Sequence, residues 1–141
     1  MTFRSFSRKM HILIADDFPA FRSLIRSKLQ ENGFDSVTEA ADGLDAVAKA
    51  ADLQPGLVLL DIGMPKLSGI DAAPRIHAVA PQSKILFISQ NTDAEVAHSL
   101  LIGGTLGYVV KSAINQELLP AIDAVLHGKR FVSSCLHPIS T

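Results

Sequence analysis

Residues 57–69 read LVLLDIGMPKLSG, and this stretch decides the fold. Leu57, Val58, Leu59 and Leu60 are apolar at every position rather than at alternate ones, which is the signature of a strand covered on both faces. Gly63, Pro65 and Gly69 then break the chain into a loop. One carboxylate, Asp61, stands between the buried run and the loop. A lone acid at the mouth of a buried strand needs an explanation beyond turn formation.

Working outward, comparable runs occur at His11–Ala15, Ile85–Ile88 and Tyr108–Val110, with a more polar one at Ser36–Ala40 that reads as an edge strand. Segments of helical spacing separate them. Phe21, Leu24, Ile25 and Leu29 form one stripe, and Leu44, Val47, Ala48 and Ala51 a second. Val96, Ala97, Leu100 and Leu101 form a third, and Leu118, Leu119, Ile122, Val125 and Leu126 a fourth. Gly33 and Gly128 fall where helix C-terminal caps belong. Pro74 is read as marking a helix that starts late, near Asp71, and Pro120 as a kink. The alternation predicts a doubly wound (βα)5 domain: a three-layer α/β sandwich of flavodoxin-like type with a five-stranded parallel sheet of order 2-1-3-4-5. Its expected bounds are residues 10–128, after an N-terminal arm at 1–9 and before a linker-like tail at 129–141.

Composition narrows the function. The 141 residues are 48% hydrophobic, enough for one core and too few for two ordinary domains. With 13 basic against 14 acidic residues the net charge is −1, so no global field draws the chain to nucleic acid or to an anionic membrane. The single cysteine, Cys135, excludes an internal disulfide framework, and the five histidines lack zinc-type spacing. No apolar segment is long enough for a signal core or a membrane span, so a cytoplasmic protein is expected.

In an open parallel sheet, ligands bind beyond the carboxyl ends of the strands, where strand order reverses; for 2-1-3-4-5 that is between strands 1 and 3. Here the first run ends on Asp16 and Asp17, the third on Asp61, the fourth on Ser89 and the fifth on Lys111. Each has an ordinary reading. Asp17 and Asp16 could cap the helix that begins at Pro19, Asp61 could form a turn, Ser89 could cap the fourth helix, although Thr92 or Asn91 fits that role better, and Lys111 could be a solvated lysine. Together they make a chemical set. Three close carboxylates raise one another's pKa unless a cation lies among them, and Mg²⁺ suits oxygen donors of this kind. An ammonium and a hydroxyl facing that cluster are what a transferring phosphoryl group requires, with Asp61 as the nucleophile that forms an acyl phosphate.

The motifs ILIADD, LLDIGMP, LSG, ILFIS and GYVVK, in this order, closely resemble the receiver domain of bacterial two-component response regulators, over about Lys9 to Ser133. The resemblance implies that Asp61 accepts a phosphoryl group from a sensor histidine kinase, that Asp16, Asp17 and Asp61 hold Mg²⁺ with the Gly63 backbone carbonyl, and that Lys111 and Ser89 contact the phosphoryl oxygens. It makes Tyr108 the switch aromatic, which swings inward, and the face of helix 4, strand 5 and helix 5 the output surface, with Ile102 and Leu106 as candidates. Such a protein is a phosphoacceptor rather than a turnover enzyme, and homodimers are compatible with it. Ser112 stands where most receivers carry proline, as in the NarL-like branch, and Gly63 and Asn91 occupy positions that tune acyl-phosphate lifetime.

The tail AVLHGKRFVSSCL, residues 124–136, resembles the segment that closes receivers joined to a LuxR-type helix-turn-helix. No basic recognition helix follows it here, so DNA would be reached only through an output domain outside this chain. Three alternatives stand beside this reading. A haloacid-dehalogenase-type phosphatase would want a second aspartate where Gly63 stands. A flavodoxin-like cofactor binder would want a phosphate-cradling loop in place of Asp16-Asp17. A stand-alone or degenerate receiver would act as a phosphorylation-independent interaction module.

Overall fold

The computed structural model describes residues 10–102 and 105–137; the expected N-terminal arm at 1–9 lies outside them. Eleven elements alternate along them: β1 (Ile12–Ala15), α1 (Pro19–Glu31), β2 (Val37–Ala40), α2 (Gly43–Leu53), β3 (Leu57–Asp61), α3 (Gly69–Val79), β4 (Lys84–Ser89), α4 (Ala94–Leu100), β5 (Thr105–Val110), α5 (Ile114–Leu126) and β6 (Phe131–Val132). The strands form one parallel sheet in the order β2-β1-β3-β4-β5-β6, with β2 at an edge as its polarity predicts.

The sheet therefore has six strands and not the expected five. The sixth comes from the tail read as linker: Phe131 and Val132 pair with Gly107 and Tyr108 on the outer edge of β5. Two residues carry no readable period, which is why the strand escapes sequence analysis.

Side chains alternate across the sheet and build two cores. Leu13, Val58, Leu60, Ile85, Phe87 and Tyr108 face the side covered by α2, α3 and α4. Ile12, Ile14, Leu57, Leu59, Leu86 and Val109 face α1 and α5. All twelve are 0–1% exposed, and a fully buried large aliphatic or aromatic side chain contributes about 1.5–3 kcal/mol. The sheet interior thus fixes the strand ends on which the acids stand.

Helix α2 corrects the expected stripe. Its buried residues are Gly43, Ala46 and Ala50, while Leu44 is 48% exposed and Ala48 and Ala51 face solvent. Close approach explains the choice, because a Cβ on Gly43 would run into the carbonyl of Leu67. Size ranking misleads where two backbones nearly touch. Helix α3 also begins earlier than Asp71: Ser68 caps it, accepting from the Asp71 amide at 3.2 Å, and Pro74 lies within it. Pro120 likewise lies within α5. Gly33 and Gly128 adopt φ of 88° and 75° just beyond α1 and α5, the left-handed conformation expected of helix-ending glycines.

Candidate phosphoacceptor site

Register brings the strand ends into one layer. Ala15 pairs with Leu60, Asp61 with Ile88, and Ser89 with Val110, so Asp16, Asp61, Ser89 and Lys111 rim the same edge of the sheet. Asp61, Ser89 and Lys111 line a cleft of about 890 Å³ together with Asp17, Gly63 and Asn91, among others, and Asp16 lies buried beside Lys111. Asp61 is 7% and Asp16 2% exposed, whereas Asp17 is open to solvent.

One carboxylate oxygen from each of Asp16, Asp17 and Asp61 lies within 4.8 Å of the other two. The Lys111 ammonium is 2.7 Å from Asp16 Oδ2 and 3.6 Å from Asp61 Oδ2, and sits 4.5 Å from the centroid of the Phe21 ring. Asp16 Oδ1 accepts from the Phe18 amide at 2.8 Å. Asp16 Oδ2 is fully shielded from solvent and, beyond its ionic contact with Lys111, receives no hydrogen bond of adequate geometry. A buried carboxylate oxygen with a free lone pair beside two further carboxylates suits a hard divalent cation. Burial first, and the Asp16 charge second, push the Asp61 carboxyl above the ordinary carboxylate range against the pull of Lys111.

The structure bears on the ordinary readings of these residues individually. Neither Asp16 nor Asp17 caps α1 by its side chain; the N-cap is Phe18, without a side-chain bond. Asp93, not Asn91 or Thr92, caps α4, its Oδ1 accepting from the amides of Glu95 and Val96. Ser89 is buried, and its hydroxyl accepts from the Asn91 amide at 3.0 Å. Lys111 is not solvated, with only 15% of its side chain exposed. Gly63 donates a long 3.5 Å contact from its amide to Asp61 Oδ1. Gly69 has a structural part in the site, since a Cβ on it would strike the Asp61 carbonyl; without one, α3 starts directly against the end of β3.

Two supporting features were not legible in the sequence, the roles of an arginine pair on α1 and of the Phe21 ring. Arg22 donates to the Asp16 carbonyl at 2.6 Å and to Glu39 at 2.8 Å, and Arg26 donates to the same Glu39 at 2.6 Å. Burial opposes ionisation of Glu39, but the two guanidinium groups hold its carboxyl below the usual range. Phe21 supplies the ring beneath Lys111. Both are spaced like ordinary helix-surface and core residues, so nothing in the sequence sets them apart.

Tyr108 is wholly buried, and its hydroxyl donates to the Asn91 carbonyl at 2.9 Å. It is already turned inward and does not form part of an exposed face. Ile102 is 74% exposed, while Leu106 is half-buried against the α1/α5 core. Val132, Cys135 and Leu136 of the tail pack against the opposite core, and β6 pairs with β5, so the chain's own tail covers the expected output face along β5.

A doubly wound parallel sheet thus carries an acid cluster at its switch point, with a hydroxyl and a lysine on the neighbouring strand ends. The family model of the response regulator receiver domain matches residues 12–123, and the chain belongs to that family: it is a receiver domain of the two-component response regulators. Among its relatives, the oxygen regulatory protein NreC of Staphylococcus aureus is 35% identical over 125 residues, 87% of this chain and 58% of NreC. The uncharacterized transcriptional regulatory protein YxjL of Bacillus subtilis is 33% identical over 122 residues, 86% of this chain and 56% of YxjL. A LuxR-family response regulator from Aurantimonas superposes with a TM-score of 0.80 at 29% identity, over 89% of this chain and 91% of that one. The chain thus spans a little over half the length of these curated relatives. Among the described residues, no helix is long and apolar enough to cross a membrane.

Proposed function

We propose that Asp61 is the phosphoacceptor, taking a phosphoryl group from a phosphohistidine of a sensor histidine kinase. The observation that carries this is the meeting of a buried, charge-strained Asp61 carboxylate with the Lys111 ammonium in an open cleft. An Asp61 Oδ attacks phosphorus, the P–N bond breaks, and its electron pair returns to the donor imidazole. Lys111 neutralises charge on the transferred oxygens, and Ser89, on the same rim, donates its hydroxyl to one of them. Asp16, Asp17 and Asp61, with the Gly63 carbonyl, would hold Mg²⁺, which supplies further neutralisation of the phosphoryl oxygens. The product is a covalently modified protein, so the chain is a signalling acceptor and not a turnover enzyme.

The wider reading rests on the relatives. We infer a cytoplasmic receiver, with its core beginning near residue 10, that controls a helix-turn-helix output domain outside this chain and meets DNA only through it. Homodimerisation accompanies that output. Incubation with radiolabelled acetyl phosphate and Mg²⁺ tests the assignment: the parent takes up acid-stable, alkali-labile label and Asp61→Asn takes up none. Label retained by Asp61→Asn would move the nucleophile elsewhere. A parent that takes no label would make the domain a phosphorylation-independent interaction module.

A further inference from the structure

Residues 130–137 are bound to the two ends of α4 and to the loop that carries Ser89. At one end, Arg130 Nη2 donates to the carbonyl of Leu101, the C-cap of α4. At the other, the His137 amide donates to the Thr92 carbonyl at 2.7 Å, and the Ala94 amide donates to the His137 carbonyl at 2.8 Å. Between these ties, β6 lies beside β5, and the Ser133 amide donates to the Tyr108 carbonyl at 2.8 Å. Tyr108 therefore holds the tail by its carbonyl and the Ser89 loop by its hydroxyl.

Glu117 of α5 fastens the middle of the segment. Its carboxylate accepts from Ser133 Oγ at 2.5 Å, Ser134 Oγ at 2.6 Å and the Ser134 amide at 3.0 Å, and it is 9% exposed. A carboxylate drawn from solvent with its hydrogen bonds supplied by two consecutive serines is a built clasp. Because β6 runs parallel to β5, the segment leads the chain from the C-terminal end of α5 up to the edge of the sheet that bears the site.

We propose that residues 130–137 form a strap that phosphorylation releases. This rests on Asp61 being the phosphoacceptor. Ser89 Oγ is engaged with the Asn91 amide, and Thr92 and Ala94 beyond it are bound to His137. A phosphoryl group on Asp61 that draws the Ser89 hydroxyl into the cleft pulls this loop away from the strap. The loop cannot satisfy both, so the two arrangements are alternatives of one two-state element. Release uncovers the edge of β5 and the part of the core that Cys135 and Leu136 pack against, and it frees the tail.

Amide hydrogen exchange on the full chain tests this, with beryllium fluoride and Mg²⁺ as the phosphoryl mimic. The mimic should change exchange at Gly63, reporting an occupied site, and accelerate exchange at Ala94, Ser133 and His137 at least tenfold. A Gly63 response with these three amides unchanged would overturn the strap and leave the phosphoacceptor reading standing. No response at Gly63 would overturn both. Coupling is reciprocal, so opening the clasp should favour the mimic. Glu117→Gln, and the milder Ser134→Ala should the first not fold, should accelerate exchange at His137 without mimic and tighten mimic binding about threefold or more. Equal affinity in a folded variant whose tail is free would refute the coupling.

Discussion

Asp61→Asn should stabilise the metal-free protein. The three carboxylates stand within 4.8 Å, so at an effective dielectric of about 20 each like-charged neighbour costs Asp61 about 3 kcal/mol, against about 5 kcal/mol of attraction to Lys111 at 3.6 Å. Asp17 is exposed and its share is screened, so the like charges roughly offset the attraction to Lys111 and burial of Asp61 supplies most of a net penalty on the order of 1 kcal/mol. Asparagine is nearly isosteric and removes the charge. For a chain of 141 residues, a gain of that size raises Tm by about 3 °C.

The sign with pH follows from the raised Asp61 pKa. An acid whose folded pKa lies above its unfolded value favours folding while protonated, and that advantage is lost as pH rises through the folded value. The gap between variant and parent should therefore be small in acid and open as Asp61 ionises. Mg²⁺ should reverse the ranking, because only the parent keeps the third carboxylate; at a hundred times the Kd the parent gains about 2.7 kcal/mol. Thermal unfolding followed by circular dichroism, in chelator and in millimolar Mg²⁺, reads both effects. A variant no more stable than the parent in chelator, together with a parent indifferent to Mg²⁺, would refute the charge-strained cation site.

Lys111→Ala leaves the buried Asp16 carboxylate without its 2.7 Å partner and should cost about 3 kcal/mol in chelator, part of it recovered by Mg²⁺; denaturant midpoints measure both. Gly69→Ala should cost about 1–3 kcal/mol by forcing α3 off the end of β3, and should slow labelling by acetyl phosphate because Asp61 moves with it. Burial opposes the Glu117 charge, but its serine hydrogen bonds hold the carboxyl below the ordinary range. The clasp is thus complete at neutral pH and lost as pH falls through the lowered Glu117 value, where protection at Ser134 relative to intrinsic exchange should drop in the parent and not further in Glu117→Gln.

Much of the site was legible because a parallel sheet turns sequence position into height. Runs apolar on both faces mark the strands, the residue after each run lies at the carboxyl edge, and the order 2-1-3 sets two of those edges side by side. Asp16, Asp61, Ser89 and Lys111 could be placed in one layer from spacing alone, although they span nearly a hundred positions. The gradation within that layer could not. That Lys111 lies closer to Asp16 than to Asp61, and that Arg22 grips the Asp16 carbonyl, depends on the docking angle of α1, to which period is blind.

Sequence alone sufficed for the five long strands and the helices between them, and for the edge of the sheet on which the acids, the hydroxyl and the lysine stand. Hydrophobic period and chain polarity suffice for that, since both act locally and repeat. Only the tertiary structure decided that α2 buries Gly43 and Ala46 while Leu44 stays outside, that Tyr108 points inward, and that Phe131–His137 return to the sheet as a strap. Those outcomes depend on how closely two backbones approach and on hydrogen bonds between segments far apart in the chain, such as Glu117 to Ser133 and Thr92 to His137. No window of sequence contains both partners of such a contact, so its energy leaves no local pattern.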